Sequence, residues 1–146
     1  MRSVFPVCQR HAPATSVIDP GRSDDRRAEL AAAIAARPDD PAPCTELGLL
    51  ELRAGAPARA EELLRQALAA EVTAERHELL GTALLRQGRR EEALAALRAA
   101  LELEPARPTA WNTAGEALGM LGRIPAAADA FLRAARGDPG FAAAHG

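Results

Sequence analysis

The sequence predicts an all-α fold in which antiparallel helix pairs stack side by side. Gly48, Gly81 and Gly115 are spaced 33 and 34 residues apart, and a second glycine follows each of them after seven residues. Alanine occurs 36 times, whereas Phe, Trp and Tyr make up 3% of the chain. A core of small and aliphatic side chains favours helix packed on helix over a sheet. A period of this length is typical of a repeat architecture.

A lone helix is predicted before the repeats, over residues 24–38, with Ser23 or Asp24 as its N-cap. Residues 1–22 contain three prolines, one glycine and no helical periodicity, so we expect a flexible tail there. In register the lone helix matches only the second helix of a pair, including the closing proline, Pro38. It is therefore half a repeat, and it can cap the N-terminal end of the stack.

Three complete pairs come next, over residues 41–73, 74–107 and 108–141, and residues 142–146 remain as a C-terminal stub. Each pair has a central glycine, which supplies the left-handed backbone that a helix C-terminus needs. Proline closes the second and third pairs and prevents their second helices from continuing. In the middle pair, apolar residues keep helical spacing on both sides of Gly88: Leu79, Leu80, Ala83, Leu84, Ala93, Leu94, Leu97, Ala100 and Leu101.

Small residues mark the place where the two helices of a pair are expected to cross. Gly48, Gly81 and Gly115 leave no side chain at the crossing, so the helix axes can approach closely. Each second helix supplies a small alanine and, four residues later, a large apolar side chain that fills the adjacent space: Ala60 and Leu64, Ala93 and Leu97, and Ala127 and Phe131.

Trp111, the only tryptophan in the chain, stands in the fourth place of the third pair. Cys44 and His77 occupy the same place in the other two pairs. An aromatic residue in helical register is usually a core residue. We therefore expect Trp111 to fill a gap between helices rather than to stack on a ligand.

The spacing of these residues resembles the tetratricopeptide repeat, whose consensus is Trp-x2-Leu-Gly-x2-Tyr, then Ala-x3-Phe, then Pro. The third pair matches at Trp111, Ala114, Gly115, Leu118, Gly122, Ala127, Phe131 and Pro139. The second pair matches at His77, Leu80, Gly81, Leu84, Gly88, Ala93, Leu97 and Pro105. The first pair departs from the pattern at Glu51, where a large ring is expected. The resemblance covers residues 24–141.

The resemblance implies a right-handed superhelical solenoid whose first helices line a concave groove. It also implies a non-catalytic adaptor that binds a peptide or helix of a partner protein in that groove. Family geometry places the second, fifth, ninth, twelfth and thirteenth residues of each pair there. The candidate groove residues are Ala42, Thr45, Leu49, Leu52, Arg53, Glu75, Glu78, Thr82, Leu85, Arg86, Thr109, Asn112, Glu116, Gly119 and Met120.

Leu49, Leu52, Leu85 and Met120 would form an apolar strip in this groove, suited to an amphipathic helix or an extended apolar segment with an acid or two. Leu49 and Leu52 fit equally well as core residues. Related cochaperones grip acidic C-termini with a set of Lys, Asn and Arg at these places. This chain has no lysine, and Glu78 and Glu116 stand where positive or neutral donors would be needed, so we do not expect a carboxylate clamp.

Composition excludes several partners. Eighteen arginines and no lysine against 20 acidic residues give a net charge of −2, too balanced for the basic face that nucleic acid or an anionic membrane requires. No apolar run is long enough for a membrane span or a secretory signal, so we expect a cytoplasmic protein. The high alanine and arginine content is typical of a GC-rich, bacterial genome.

No catalytic or cofactor-binding pattern is found. The histidines are isolated and the two cysteines lie in unlike contexts, which predicts no metal site, no disulfide and no cofactor. No Ser-His-Asp set or phosphate-binding loop is present. Glu91 and Glu92 are adjacent at a helix start, where they fit stabilisation of the helix dipole, and we interpret Glu61 and Glu62 in the same way. The chain is therefore not expected to be an enzyme.

Two other functions remain open. The apolar face around Ala127, Phe131 and Ala134 has little sequence after it to cover it, so the chain could assemble with itself into a scaffold or homo-oligomer. The repeats could also be the N-terminal part of a larger tetratricopeptide-repeat enzyme.

Overall fold

The computed structural model describes residues 20–137, and within this range the chain forms α-helices and no strand. The helices are α1 (Pro20–Ala36), α2 (Pro41–Arg53), α3 (Pro57–Ala70), α4 (Ala74–Arg86), α5 (Arg90–Leu103), α6 (Pro108–Met120) and α7 (Ile124–Gly137). The all-α prediction is confirmed. Helices α2 and α3, α4 and α5, and α6 and α7 pack as pairs, and α1 packs on α2. The predictions made for residues 1–19 and 138–146 lie outside the described residues.

Helix α1 begins at Pro20 rather than at Asp24, so the predicted cap at Ser23 or Asp24 is wrong and residues 20–22 are helical. Proline suits the first position of a helix, because its φ is already helical and its missing N–H has no intrahelical partner there. Leu30 of α1 is 4% exposed and belongs to one apolar cluster with side chains of α2 and α3. Helix α1 therefore covers the N-terminal end of the core.

The first helix of each pair ends at a glycine with left-handed backbone, as the sequence predicts. The φ angles of Gly55, Gly88 and Gly122 are +84°, +80° and +79°. The next residue then donates its N–H to the carbonyl five residues earlier, which is the Schellman arrangement: Ala56 to Glu51 at 2.8 Å, Arg89 to Leu84 at 3.0 Å and Arg123 to Leu118 at 2.9 Å. The same turn recurs three times, so the pairs have the same local geometry.

The crossing glycines are also in the predicted place. A Cβ at Gly81 would lie 2.8 Å from Leu97 Cγ, and one at Gly115 would lie 2.7 Å from Phe131 Cε1. At Gly48 the distance to Leu64 Cγ would be 3.1 Å. The two helices of each pair approach too closely for a side chain at these positions, which confirms the reason inferred for their spacing.

The stack curves toward its first helices. Helices α2 and α4 contact each other, and so do α4 and α6, whereas successive second helices make no such contacts in residues 20–137. The first helices are therefore closer together and lie on the inner side of the curve. We call the inward-facing surface of α2, α4 and α6 the concave surface.

Candidate functional site

Leu52 does not line the concave surface. It is 3% exposed and packs with Leu80 and Leu84. Of the two roles that the sequence left open for Leu52, groove residue or core residue, the second is correct. Leu85 is half-buried against the same cluster, and Leu49 is half-buried. The apolar strip inferred from the sequence is therefore interrupted, because the twelfth place of α2 faces the next pair.

Several polar candidates connect neighbouring repeats. Arg76 Nε donates to Thr45 Oγ1 at 2.8 Å, and Arg86 Nη1 donates to the carbonyl of Leu52 at 2.7 Å. Glu78 accepts two bonds at the start of α6, from Nε of the N-cap residue Arg107 at 2.6 Å and from Thr109 Oγ1 at 2.8 Å. Thr82 Oγ1 donates to the Glu78 carbonyl within its own helix, at 3.1 Å. Most of these side chains fix one repeat against the next.

Most of the exposed candidates lie on α2 and α6, and Arg86 is exposed at the end of α4 between them. Arg53 is exposed at the end of α2. On α6, Asn112 Nδ2 donates to Glu116 Oε1 at 3.3 Å, and both side chains are exposed. Met120 is 56% exposed. Arg53 and these three residues of α6 offer hydrogen bonds, charges of both signs and one flexible apolar side chain to an incoming chain. Ala42, Glu75 and Thr109 are exposed as well, and Gly119 is half-buried.

Of the acidic residues considered for catalysis, Glu61 and Glu92 are paired with arginines. Helix α3 begins at Pro57, so Glu61 and Glu62 lie beyond its first turn, and the dipole interpretation is wrong for them. Glu61 accepts bonds from Arg65 at 2.8 Å and Arg89 at 2.6 Å. Burial raises the pKa of Glu61, but bonds from Gln87, Arg65 and Arg89 outweigh it and lower the pKa overall. Glu91 and Glu92 do lie in the first turn of α5.

The fourth place of the first two pairs holds a buried cysteine and a half-buried histidine. Cys44 is 1% exposed, and burial, with a smaller contribution from Asp40, raises the pKa of its thiol. His77 Nδ1 is buried and has no hydrogen-bond partner, and burial lowers the pKa of His77. Across residues 20–137 no three His, Cys, Asp or Glu side chains are grouped closely enough to hold a metal ion. No helix in that range is both long and apolar enough to cross a bilayer.

Trp111 only partly fills its gap. The side chain is half-buried, its Nε1 donates to the Pro105 carbonyl at 2.7 Å, and the Arg133 guanidinium lies 5.0 Å from the ring centroid. The ring lines a cavity of about 430 Å³ between α5, α6 and α7. A second cavity of about 340 Å³ lies at the same place one repeat earlier, beside His77. Neither cavity is predicted by the sequence. The signal for the larger cavity is Ala114, because the other two pairs have a leucine in that place.

The C-terminal pair exposes different residues from those expected. Ala127 and Ala134 are each 5% exposed, so they pack within the pair and are not part of an open face. Ile124, Phe131 and Leu132 are 62%, 39% and 55% exposed. We call these three side chains the α7 edge. Leucines in the place of Phe131, Leu64 and Leu97, are 0% exposed because another repeat packs over them.

Comparisons with known proteins agree with this architecture. A family model described as a tetratricopeptide repeat matches residues 78–140. A crystal structure of MamA is 22% identical with a TM-score of 0.74, over 86% of this chain and 78% of that one. A second MamA structure, MSR-1, is 28% identical with a TM-score of 0.72, over 82% and 69%.

A further structure, YrrB, is described as a TPR protein with an unusual peptide-binding site. It is 21% identical with a TM-score of 0.71, over 82% of this chain and 62% of that one. A search of curated proteins finds no match. With three helix pairs and glycine-marked turns and crossings, the described residues have the fold of tetratricopeptide-repeat proteins, and residues 78–140 match a model of that repeat.

Proposed function

We propose that the chain is a cytoplasmic, non-catalytic adaptor that holds a segment of a partner protein against its concave surface. The observation that carries the proposal is the curvature, which turns the first helices inward and brings their exposed side chains to one surface. Arg53, Asn112, Glu116 and Met120 are the residues we assign to contact with the partner. Leu49 and Leu85, half-buried behind them, supply a shallow apolar floor.

The bonds between repeats prepare this surface for binding. Glu78 is held by Arg107 and Thr109, and Thr45 by Arg76. Side chains that are already fixed lose little conformational entropy when a partner binds, so less of the contact energy is lost to ordering. These residues are therefore proposed to shape the surface, and the exposed ones to make the contacts.

The partner segment is expected to be short and partly apolar. Burying an apolar side chain stabilises a complex by about 1.5–3 kcal/mol before the costs of association. Met120 and the two half-buried leucines would support a contact with a Kd on the order of micromolar. The mixed charges of Arg53 and Glu116 favour a segment that carries both signs.

A pair of matched variants tests the proposal. Met120→Glu places a charge on the concave surface, and Leu103→Glu makes the same change on the second helix α5. The two wild-type side chains are similarly exposed, 56% and 51%, so the effects of both changes on folding should be alike. A partner would be identified by affinity capture and mass spectrometry, and its Kd measured by calorimetry. We expect Met120→Glu to weaken binding at least tenfold and Leu103→Glu to leave it unchanged; equal effects would refute the proposal.

A second candidate function is self-assembly through the α7 edge. The exposed Phe131, where two equivalent leucines are covered, favours it. A second copy of the chain would bury this edge and so supply the cover that a neighbouring repeat gives elsewhere.

Light scattering at micromolar concentration tests this candidate. A dimer or larger species that Leu132→Glu converts to a monomer of 15.3 kDa is the expected result. Asp129→Lys changes the charge beside the edge without removing an apolar side chain, and it serves as the control. A wild-type chain that stays monomeric would exclude self-assembly and leave the adaptor proposal untouched.

A further inference from the structure

The cavity beside Trp111 lies away from the concave surface, between the second helices of two neighbouring pairs. Curvature separates α5 from α7, and α6 forms the floor between them. Residues on one face of each helix converge there: Leu94 and Leu101 from α5, Ala114 and Leu118 from α6, and Ala126 and Ala130 from α7. These six side chains give the cavity a mostly apolar lining, to which Arg98, Glu102 and Asp129 add charges.

Two smaller side chains line the larger cavity: Ala126 stands where Glu92 lines the cavity beside His77, and Ala114 is the other. Ala114 occupies the seventh place of its pair, where Leu47 and Leu80 stand in the other two. Leu80 lines the cavity beside His77, which is about 340 Å³, against about 430 Å³ beside Trp111. Replacing a leucine by an alanine leaves space that the half-buried indole does not occupy.

The charges at the mouth of the two cavities also differ. At the cavity beside His77, Arg65 is paired with Glu61 and Glu92 with Arg89. At the cavity beside Trp111, Asp129 is paired with Arg133, but Arg98 and Glu102 form no ion pair with any described residue. Arg98 is therefore a cation available to an acidic group that arrives with an apolar one.

We propose that this cavity binds a leucine-sized side chain of a partner peptide, with one adjacent acidic residue of the peptide paired to Arg98. Arg98, Glu102, Ala126 and Asp129 are exposed, so the mouth opens on the protein surface. A side chain can enter while its backbone stays outside. A volume of about 430 Å³ is within the range of small binding sites.

The charge pattern limits the peptide to a single acid beside the apolar residue. Glu102 lies four residues after Arg98 on α5, about 6 Å farther along the helix axis. A second acidic residue in the peptide would approach this carboxylate and be repelled. The site is separate from the contacts assigned to the adaptor role, since none of its lining residues is a candidate groove residue.

Intrinsic fluorescence reports on this site directly, because the chain has one tryptophan and no tyrosine. The probe is an octapeptide, GSGLDGSG, blocked at both ends and titrated against the whole chain. We expect a saturable shift in Trp111 emission. Asn in place of Asp in the probe should weaken binding about twofold to fivefold, as for an exposed ion pair. Ala in place of Leu should weaken it about tenfold or more.

Variants of the chain locate the binding. Ala114→Leu restores the leucine of the other pairs and should abolish the shift. Ala126→Leu, at an exposed position of the mouth, repeats the test if the first change disturbs packing. Arg98→Gln should weaken binding of the Asp-containing peptide by the same factor as replacing Asp by Asn in the peptide. Arg65→Gln, the equivalent change at the smaller cavity, and Met120→Glu on the concave surface should leave binding unchanged.

Several results would overturn the proposal. Binding that survives both leucine substitutions places the peptide elsewhere. A probe with Asn that binds as tightly as the one with Asp removes the role of Arg98. Hexanol or hexanoate that binds as tightly as the peptide makes the occupant a small amphiphile. Loss of binding in Met120→Glu with unchanged binding in Ala114→Leu would move the peptide to the concave surface and support the adaptor proposal alone.

Discussion

Replacing Gly81 by alanine tests the close helix crossing on which every repeat depends. The new Cβ would lie 2.8 Å from Leu97 Cγ and 3.2 Å from the Ala93 carbonyl oxygen. Leu97 is 0% exposed, so its branched carbon has no free space into which to move. Overpacking of this kind costs about 1–3 kcal/mol. Alanine recovers up to about 1 kcal/mol of helix propensity, so we expect a net loss of up to about 2 kcal/mol in the free energy of unfolding.

Gly119→Ala is the matched control. Gly119 is also helical, but a Cβ there would meet nothing within 4 Å, so only the gain in propensity remains, about 0.5–1 kcal/mol. Gly48→Ala should cost less than Gly81→Ala, since its nearest contact would be 3.1 Å. Urea unfolding followed by far-UV circular dichroism measures all three. If Gly81→Ala and Gly119→Ala stabilise the chain equally, the crossing is not tightly packed and the reasoning is wrong.

Three further predictions concern single side chains. Arg27 Nε lies 2.9 Å from the half-buried Glu51 carboxylate, so Arg27→Ala should lower the free energy of unfolding by about 1 kcal/mol. In a chain that already carries Glu51→Leu, Arg27→Ala should have no such effect. A loss of stability that persists there would contradict the importance of this ion pair. Burial lowers the pKa of His77, so the unfolded chain binds its proton more readily and stability should fall as pH drops below about 6.5. His77→Leu should flatten urea unfolding data between pH 5 and 7.5, and an unchanged slope would exclude His77 as the cause. In a Cys8→Ser chain, the 1% exposed Cys44 should react with a thiol reagent only at the rate of unfolding, so fast labelling in native buffer would contradict its burial.

The concave surface shows where sequence reasoning was incomplete. Register alone assigns Leu52 and Met120 to one surface, yet Leu52 is 3% exposed and Met120 is 56% exposed. Leu52 stands in the twelfth place of its pair and packs against Leu80 and Leu84 of the second pair. Met120 stands in the thirteenth place, and the arginines in that place of the other two pairs, Arg53 and Arg86, are exposed as well. Burial of this kind is a property of neighbouring repeats and cannot be assigned from one repeat.

Glu51 is a second residue whose contacts could not be predicted from one repeat. The sequence shows a carboxylate where a large ring is expected, and it gives no partner for it. In the fold, Arg27 of α1 reaches Glu51 across the pair boundary, so the half-repeat that caps the stack also compensates the departure from the pattern. The partners are 24 residues apart, and only packing of α1 on α2 brings them together.

The sequence by itself determined the number of helix pairs, their glycine turns and their close crossings. These features involve residues that are close in sequence: a glycine with a positive φ acts within its turn, and a crossing glycine leaves room for the helix that follows directly in the chain. Tertiary structure decided which side chains remain exposed, which acids and bases pair between repeats, and that a cavity opens beside Trp111. Those outcomes depend on the angle between successive pairs, which arises from the sum of many contacts and not from the spacing of any one residue type.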